Sequence, residues 1–233
     1  MRVLLDRGPD APLHPRDPEL TDQRLAAAYA APADPWLRVN MIGTVDGAAT
    51  GESGRSGSIN NAADHRVFAL LRRLADAVVV GAGTVRAEEY GPADVPIVVV
   101  SRRGEVPPTL RGAPPGRVLL ATCEHADGLA RARSLLGDEH VLVLGSHRVD
   151  LARLRATLVE RGLRQLLAEG GPHLLRDLLA AGVVDELTTT VVPRVIAGDH
   201  PRITAGPPVD VPLELRLLLE AEGTLLARWF VAR

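Results

Sequence analysis

Five short stretches of the chain are almost entirely apolar: AVVVGAG (77–83), PIVVV (96–100), RVLLAT (117–122), HVLVLG (140–145) and LRQLLA (163–168). A strand with one wet face alternates apolar and polar residues. Unbroken Val, Leu and Ile runs therefore predict strands buried on both faces, as in a parallel sheet covered by helices. Helical periodicity fills the gaps. Val67, Leu70, Leu71 and Leu74 form one stripe at i, i+3, i+4, i+7. Asp150 is placed to cap a helix that ends at Gly162, and Pro172 to open one that ends before Gly182. Beyond residue 184 the pattern changes. DELTTTVVP and LELRLLLEAEGTLLARWFVAR read as three strands, the last two joined by a tight turn at Glu222-Gly223. The expected fold class is α/β: a mixed, mostly parallel central sheet with helices on both faces and a C-terminal antiparallel hairpin. Residues 1–35, rich in proline and with one helix at Asp22–Ala30, read as a peripheral N-terminal extension; residues 36–233 read as a single domain.

Composition narrows the chemistry. A net charge of −2 and 3% aromatic residues do not make a nucleic-acid surface. No apolar run is long enough to cross a bilayer and the N-terminus has no signal-peptide core, so a cytoplasmic protein is expected. The single cysteine, Cys123, excludes an internal disulfide and a Cys-rich zinc site and reads as a small buried residue. His65, His125, His140, His147, His173 and His200 show no metal-ligand spacing, and no metal is expected. The chain has no lysine, all 27 Lys+Arg residues being Arg. That removes P-loop phosphate binding, Schiff-base catalysis and the Ser–Lys dyad.

Open α/β sheets bind ligands at the carboxyl ends of their strands. Three segments carry unusual residues there: NMIGTVDGAATGESGRSGS (40–58), VGAGTVRAEEYGP (80–92) and AEGGPHLLRD (168–177). Gly81 and Gly83 resemble the start of a dinucleotide fingerprint, although position 86 is Arg where Gly or Ala belongs; a plain tight turn is the alternative. Gly170 and Gly171 allow close approach of a ligand to a helix N-terminus with unpaired N–H groups. Two such joints in one sheet favour a dinucleotide over a mononucleotide. Ser101-Arg102-Arg103 ends another strand. Arginine there suits a 2′-phosphate, pointing to NADPH, and equally suits a solvated loop.

Taken together these segments resemble the riboflavin-biosynthesis pyrimidine reductase family, which includes the reductase half of bifunctional deaminase–reductases and shares the dihydrofolate reductase fold. The matching pieces are TVDG (44–47), GRSGSI (54–59), LLRRLADAVVVGAGTVRAE (70–88) and AEGGPHLLRDLLAAGVVDEL (168–187). The family has an Asp-Gly pair, a Ser ten residues on and an Arg sixteen beyond that, here Asp46, Ser56 and Arg72. The resemblance implies that Ser56 and Arg72 hold substrate, including its phosphate, and that Glu169 contacts substrate. It implies cofactor contacts at Ser58, Thr84 and Glu88, a main-chain contact at Ile42, and an adenosine-end contact at Ser101. Gly171, Pro172, His173, Leu174 and Leu175 fall in the loop and helix start that embrace the cofactor phosphates.

The implied activity is NADPH-dependent reduction of 5-amino-6-(5-phosphoribosylamino)uracil to its ribitylamino product. Hydride transfer needs no nucleophile, only held geometry and excluded water, and the sequence offers no triad. Solvent, Asp46 and Glu169 are the candidate proton sources, and Asp46 alternatively only forms a turn. The deaminase signatures are absent, implying a reductase-only member. Many members carry a second phosphate-binding Arg where this chain has Val95, so Arg55 or another Arg takes its place, or the substrate has less phosphate to bind. A dihydrofolate-reductase-type activity on a pterin and a non-catalytic NADPH-binding protein are the alternatives. The family resemblance also implies a homodimer, with Trp229 and Phe230 on the strands expected at its interface.

Overall fold

Each apolar run is a strand of one ten-stranded sheet in the computed structural model, which describes residues 1–8, 13–14 and 19–232. In chain order the elements are β1 (Arg2–Asp6), α1 (Asp22–Tyr29), β2 (Trp36–Thr44), α2 (Ala62–Arg73), β3 (Ala77–Gly81), α3 (Ala82–Ala87), β4 (Ile97–Val100) and β5 (Val118–Thr122). They continue with α4 (Leu129–Leu136), β6 (Val141–Val143), α5 (Leu151–Glu160), β7 (Gln165–Ala168), α6 (Pro172–Ala180), β8 (Glu186–Val192), β9 (Leu213–Ala221) and β10 (Thr224–Val231). The strand order is β1-β9-β10-β8-β2-β7-β3-β4-β5-β6. From β8 to β6 every pair is parallel; β10, β9 and β1 add antiparallel pairs at the other side.

The valine run of β3 shows why such strands lack alternation. Ala77 and Val79 pack into the core on one face, while Val78 and Val80 enter the two clusters on the other. All four are at most 1% exposed. Helices α5 and α6 cover the first face, and α1 and α2 cover part of the second. Caps stand where the sequence puts them. Asp150 accepts from the Arg153 amide at 2.9 Å, Pro172 opens α6, and Gly162 and Gly182 follow α5 and α6 with φ of 83° and 65°. The hairpin turns at Glu222 and Gly223 with φ of 52° and 79°, a pairing of left-handed conformations that suits the twist of the flanking strands.

The N-terminal segment is more integrated than its composition suggested. It supplies the edge strand β1, and Val3, Leu20, Leu25 and Tyr29 are buried in a core cluster with α2, β9 and β10. A buried ionic group ties it down. Glu186, fully enclosed at the start of β8, accepts from Arg38 at 2.7 Å, Arg228 at 2.7 Å and the Trp36 indole at 2.8 Å. The spare guanidinium N–H groups reach the carbonyls of Ala28, Tyr29 and Ala30, where α1 ends and the helix dipole is negative. Burial pushes the Glu186 carboxyl up, but Arg38 and Arg228 outweigh it and hold it below its ordinary value. No helix among the described residues is long and apolar enough to cross a membrane.

Removing one charge from this group strands two buried arginines. Glu186→Gln is expected to lower stability by about 3–5 kcal/mol, read as a fall in the urea midpoint. A change within about 0.5 kcal/mol would show that the arginines do not depend on the carboxylate.

Candidate functional site

Strand β7 lies between β2 and β3, so the carboxyl ends of three strands from distant parts of the chain meet side by side. The joint after β7 and the joint after β3 touch through the Gly81 N–H, which donates to the Gly170 carbonyl at 2.9 Å. Neither glycine after β7 tolerates a side chain. Gly170 has φ of 80°, and a Cβ there would lie 3.0 Å from Met41 Sδ; one on Gly171 would lie 2.4 Å from Thr84 Oγ1. The Gly170–Gly171 peptide is cis. This glycine wall separates, and is shared by, two cavities. One measures about 490 Å³ and the other about 1040 Å³, and both are lined by Gly83, Thr84, Gly171, Pro172 and His173.

The larger is a groove carrying Gly81, Ser101, Arg102 and Leu174 from the sequence reading, together with Arg86, Arg103, Arg148 and Arg176. Arg86 faces Glu105 at 3.6 Å and Arg176 pairs with Asp177 at 2.7 Å. Among the described residues no acid pairs with Arg102, Arg103 or Arg148. No side chain caps the N-terminus of α6, which opens here. Uncapped amides and arginines without an acid partner give this groove the chemistry to take an anion. Leu175 is a correction: it is fully buried in the core and its N–H already donates to Gly171 at 3.0 Å, so it has nothing to offer a ligand.

The smaller cavity takes Ile42, Ser56, Arg72, Glu88 and Glu169. Glu169, its side chain 2% exposed, accepts both arms of the Arg72 fork at 2.7 Å and the Tyr90 hydroxyl at 2.7 Å. The Arg72 guanidinium lies 4.5 Å from the Phe68 ring centre and 5.4 Å from that of Tyr90. Glu169 raises Arg72 further above its ordinary value; burial and the Glu169 charge push the Tyr90 phenol well up, so it stays a donor. Arg72 is thus no free phosphate grip, although its side chain remains 30% exposed on the cavity side. Val95, at the family's second-arginine position, packs against the core.

Four expected residues lie outside both cavities: Leu175, Gly170, Ser58 and Asp46. The Ser58 hydroxyl accepts from the Gly51 amide at 3.0 Å and donates to the Arg55 carbonyl at 2.7 Å, fastening the loop that carries Ser56. Asp46 accepts from the Thr44 hydroxyl and from the amides of Ala197 and Ile196 at 2.7 and 3.0 Å, anchoring the segment after β8. These bonds, the Thr44 one foremost, hold its carboxyl down to about 2, so it is ionised at neutral pH and is no proton donor. Gly170 is buried behind the wall and shapes it.

The cavity also holds Asn40, Asp64, Phe68 and Tyr90, which sequence reasoning missed. A signal for two of them existed. Asp64, Phe68 and Arg72 recur every four residues and mark a second face of α2, about 110° from the leucine stripe. Tyr90 sits in a loop after α3, where no periodicity speaks. Among the described residues no group of three or more His, Cys, Asp or Glu side chains could hold a metal.

The RibD C-terminal domain family matches residues 35–222. The 2,5-diamino-6-ribosylamino-4(3H)-pyrimidinone 5′-phosphate reductase of Methanothermobacter thermautotrophicus is 30% identical over 203 residues, 82% of this chain and 94% of its own. A pyrimidine reductase-like protein of Corynebacterium diphtheriae superposes with a TM-score of 0.78 at 24% identity, covering 92% of this chain and 100% of that one. Dihydrofolate reductase from Enterococcus faecalis, solved with NADP(H), superposes with a TM-score of 0.50 at 15% identity, over 85% and 98% of the two chains. The fold is therefore of the dihydrofolate reductase type.

Two outcomes follow from this geometry. The Asp46 anchor is complete above the carboxyl's ordinary value of 3.8 and is lost as pH falls through about 2. The amide NMR shifts of Ile196 and Ala197 should titrate with that low midpoint, and a midpoint near 4 would contradict the anchor. Gly171→Ala should lower stability by about 1–3 kcal/mol through overpacking, and adding Thr84→Ala, which removes the clashing oxygen, should recover most of it in thermal unfolding.

Proposed function

The chain belongs to the RibD C-terminal domain family, and on that premise we propose that it reduces a 6-ribosylaminopyrimidine 5′-phosphate to its ribitylamino product with NADPH, a step of riboflavin biosynthesis. The observation that carries this reading is the shared glycine wall: a groove lined by arginines without acid partners and a second cavity holding Arg72 and Glu169 meet at Gly83 and Gly171. A cofactor lying along the groove would bring its nicotinamide to the cavity at Gly83 and Gly171. A Cβ on Gly83 would meet nothing within 4 Å, so the space beside that backbone is open to a ring.

Thr84, Gly171, Pro172 and His173 would hold the nicotinamide end, the main chain at Ile42 would contact it, and the α6 N-terminus would take the pyrophosphate. Arg102, Arg103 and Arg148 would meet the 2′-phosphate, with Ser101 shaping their turn. Bound there, the cofactor supplies a hydride. The protein's residues do the rest by position. Ser56 and the exposed side of Arg72 would face the sugar phosphate, while Arg55, on the same loop, is paired with Glu89 at 2.8 Å. The neutralised Arg72–Glu169 pair, braced by Tyr90, forms a rigid polar wall beside the reacting carbon. As hydride reaches C1′, the C1′–O4′ bond breaks, its electron pair goes to O4′, and O4′ takes a proton. Asp46 is ionised and turned away, and both oxygens of Glu169 are occupied as acceptors, so solvent supplies that proton.

The ring named in the sequence reading is a uracil; that in the relative's name is its 2-amino counterpart. Both belong to the substrate class proposed. We further propose a homodimer, supported by Leu213 and Leu225 exposed on the C-terminal hairpin.

The test is NADPH oxidation, followed by absorbance, with both pyrimidine substrates and dihydrofolate. Turnover of a pyrimidine is expected. Faster turnover of dihydrofolate would favour the pterin reading, and NADPH binding without any oxidation would favour a non-catalytic protein. Arg102→Ala with Arg103→Ala should narrow the preference for NADPH over NADH by about 10- to 100-fold, the worth of a charged hydrogen bond.

A further inference from the structure

Three consecutive side chains after α3 grip three different groups around the smaller cavity. The helix is capped by Glu88, and Glu89 turns the chain with φ of 55° while the Tyr90 amide donates back to the Val85 carbonyl at 3.0 Å. Glu88 accepts from the Ser56 amide at 2.7 Å. Glu89 takes both arms of the Arg55 fork at 2.8 Å, and the Tyr90 hydroxyl donates to Glu169 at 2.7 Å. The three ties are unequal. Arg55 and Glu89 are 43% and 61% exposed, so water and salt screen their attraction. Tyr90 braces a pair that Arg72 already fills. Of the three, only Glu88 fixes the main chain of a cavity-lining residue, and it lines that same cavity and not the arginine groove.

The loop that Glu88 holds has little of its own to fix it. Gly54 has φ of 71°, and a Cβ on Gly54 or Gly57 would meet nothing within 4 Å. The short turn Ser56–Ser58 has no side-chain cap from Arg55, the residue before it. Among the described residues, the backbone bonds made by 52–57 stay within the loop, apart from the Ser56 amide on Glu88. From Ser58 onward the chain is secured separately. The Ser58 hydroxyl is bonded at Gly51 and Arg55, its carbonyl accepts from Arg194 at 2.7 Å, and Ile59 is buried. The Ser56 hydroxyl, by contrast, has no partner among the described residues and stands at the cavity. Its direction follows from its main chain, and its main chain follows from Glu88.

We propose that Glu88 is a positioning residue for the substrate: by fixing the Ser56 amide it aims the Ser56 hydroxyl at the sugar-phosphate end of the ligand. The inference rests on the reductase reading above, and it assigns Glu88 to the substrate side in place of the cofactor contact that the family resemblance implies. What the task requires is an acceptor oxygen at the reach of a glutamate side chain. Glutamine supplies the same oxygen at the same reach without the charge, and alanine supplies neither. A residue that acted on the cofactor through its charge would not be replaced by glutamine.

The experiment takes the pyrimidine 5′-phosphate that the wild type turns over faster in the assay above, together with its dephosphorylated form. KM and kcat for both, and the NADPH Kd by fluorescence titration, are measured in the wild type, Glu88→Ala and Glu88→Gln. Glu88→Ala should raise KM for the phosphorylated substrate about 10-fold and leave kcat within about 2-fold, the pattern of lost binding. KM for the dephosphorylated form and the NADPH Kd should stay unchanged. Glu88→Gln should bring the phosphorylated KM back to within about 3-fold of the wild type, since the neutral acceptor remains. In a Ser56→Ala background, Glu88→Ala should add less than about 2-fold, because the two residues act as one unit. General damage to the fold would add in full. An unchanged KM in folded Glu88→Ala, weaker NADPH binding in both variants without rescue by glutamine, or full additivity with Ser56→Ala overturns the role of Glu88 and leaves the reductase reading intact. Oxidation of NADPH with neither pyrimidine by the wild type overturns both. Should Glu88→Ala fail to fold, hydrogen exchange at the Ser56 amide of the wild type decides: protection supports the proposal, and exchange at the rate of an exposed amide overturns it.

Discussion

One backbone hydrogen bond, from the Gly81 amide to the Gly170 carbonyl, governs the geometry of the whole site. It forms only because β7 is seated between β2 and β3 and because the chain leaving β7 carries no Cβ for two residues. Every other feature inherits its position from that contact. α6 starts where the wall ends, so its open N-terminus faces the arginine groove. Glu169 precedes the wall by one residue, so its carboxylate falls on the opposite side, against Arg72. Close packing leaves little slack for alternatives: Met41 already touches the space above Gly170, and Thr84 that above Gly171.

The acids of this protein have the same intrinsic chemistry and very different employment. Glu186 is locked between two arginines and serves only architecture. Glu169 is half of a neutral pair that nonetheless faces the cavity. Asp46 holds a loop and has been drawn to an acidity useless for proton transfer. Asp64 is buried at the wall of the smaller cavity, where burial raises its pKa and the Thr190 hydroxyl is its side-chain donor. What distinguishes them is the number of donors each backbone position brings within reach, which is a property of the fold and not of the residue type.

That distinction explains what was legible in the sequence. The strands were, because burial on both faces leaves its mark residue by residue in unbroken runs such as AVVVG and IVVV. The glycine joints were, because only glycine fits such an approach. The helix ends were, through Asp150, Pro172, Gly162 and Gly182. The partner of Arg72 was not, since Glu169 lies 97 residues away and nothing local records the pairing. For the same reason Asp46 looked like a site residue: an Asp-Gly turn carries no trace of the amides at 196 and 197 that occupy it. The strand β1 escaped notice because RVLLD is short and pairs with β9, at the far end of the chain.

The position of β7 also bears on how the molecule comes into being. Its two neighbours, β2 and β3, precede it in the chain by roughly 80 residues or more, yet they do not pair with each other. Until residue 168 has been synthesised, β3 has one unpaired edge and β2, whose other neighbour β8 comes later still, has no partner strand. Such edges recruit foreign strands, and non-local pairings form slowly. The nascent chain therefore passes through a stage in which the β3-β4-β5-β6 side has all its strands while β2 still waits for β7 and β8. β7, the last parallel strand but one to emerge, joins β2 to that side and brings the glycine joint with it.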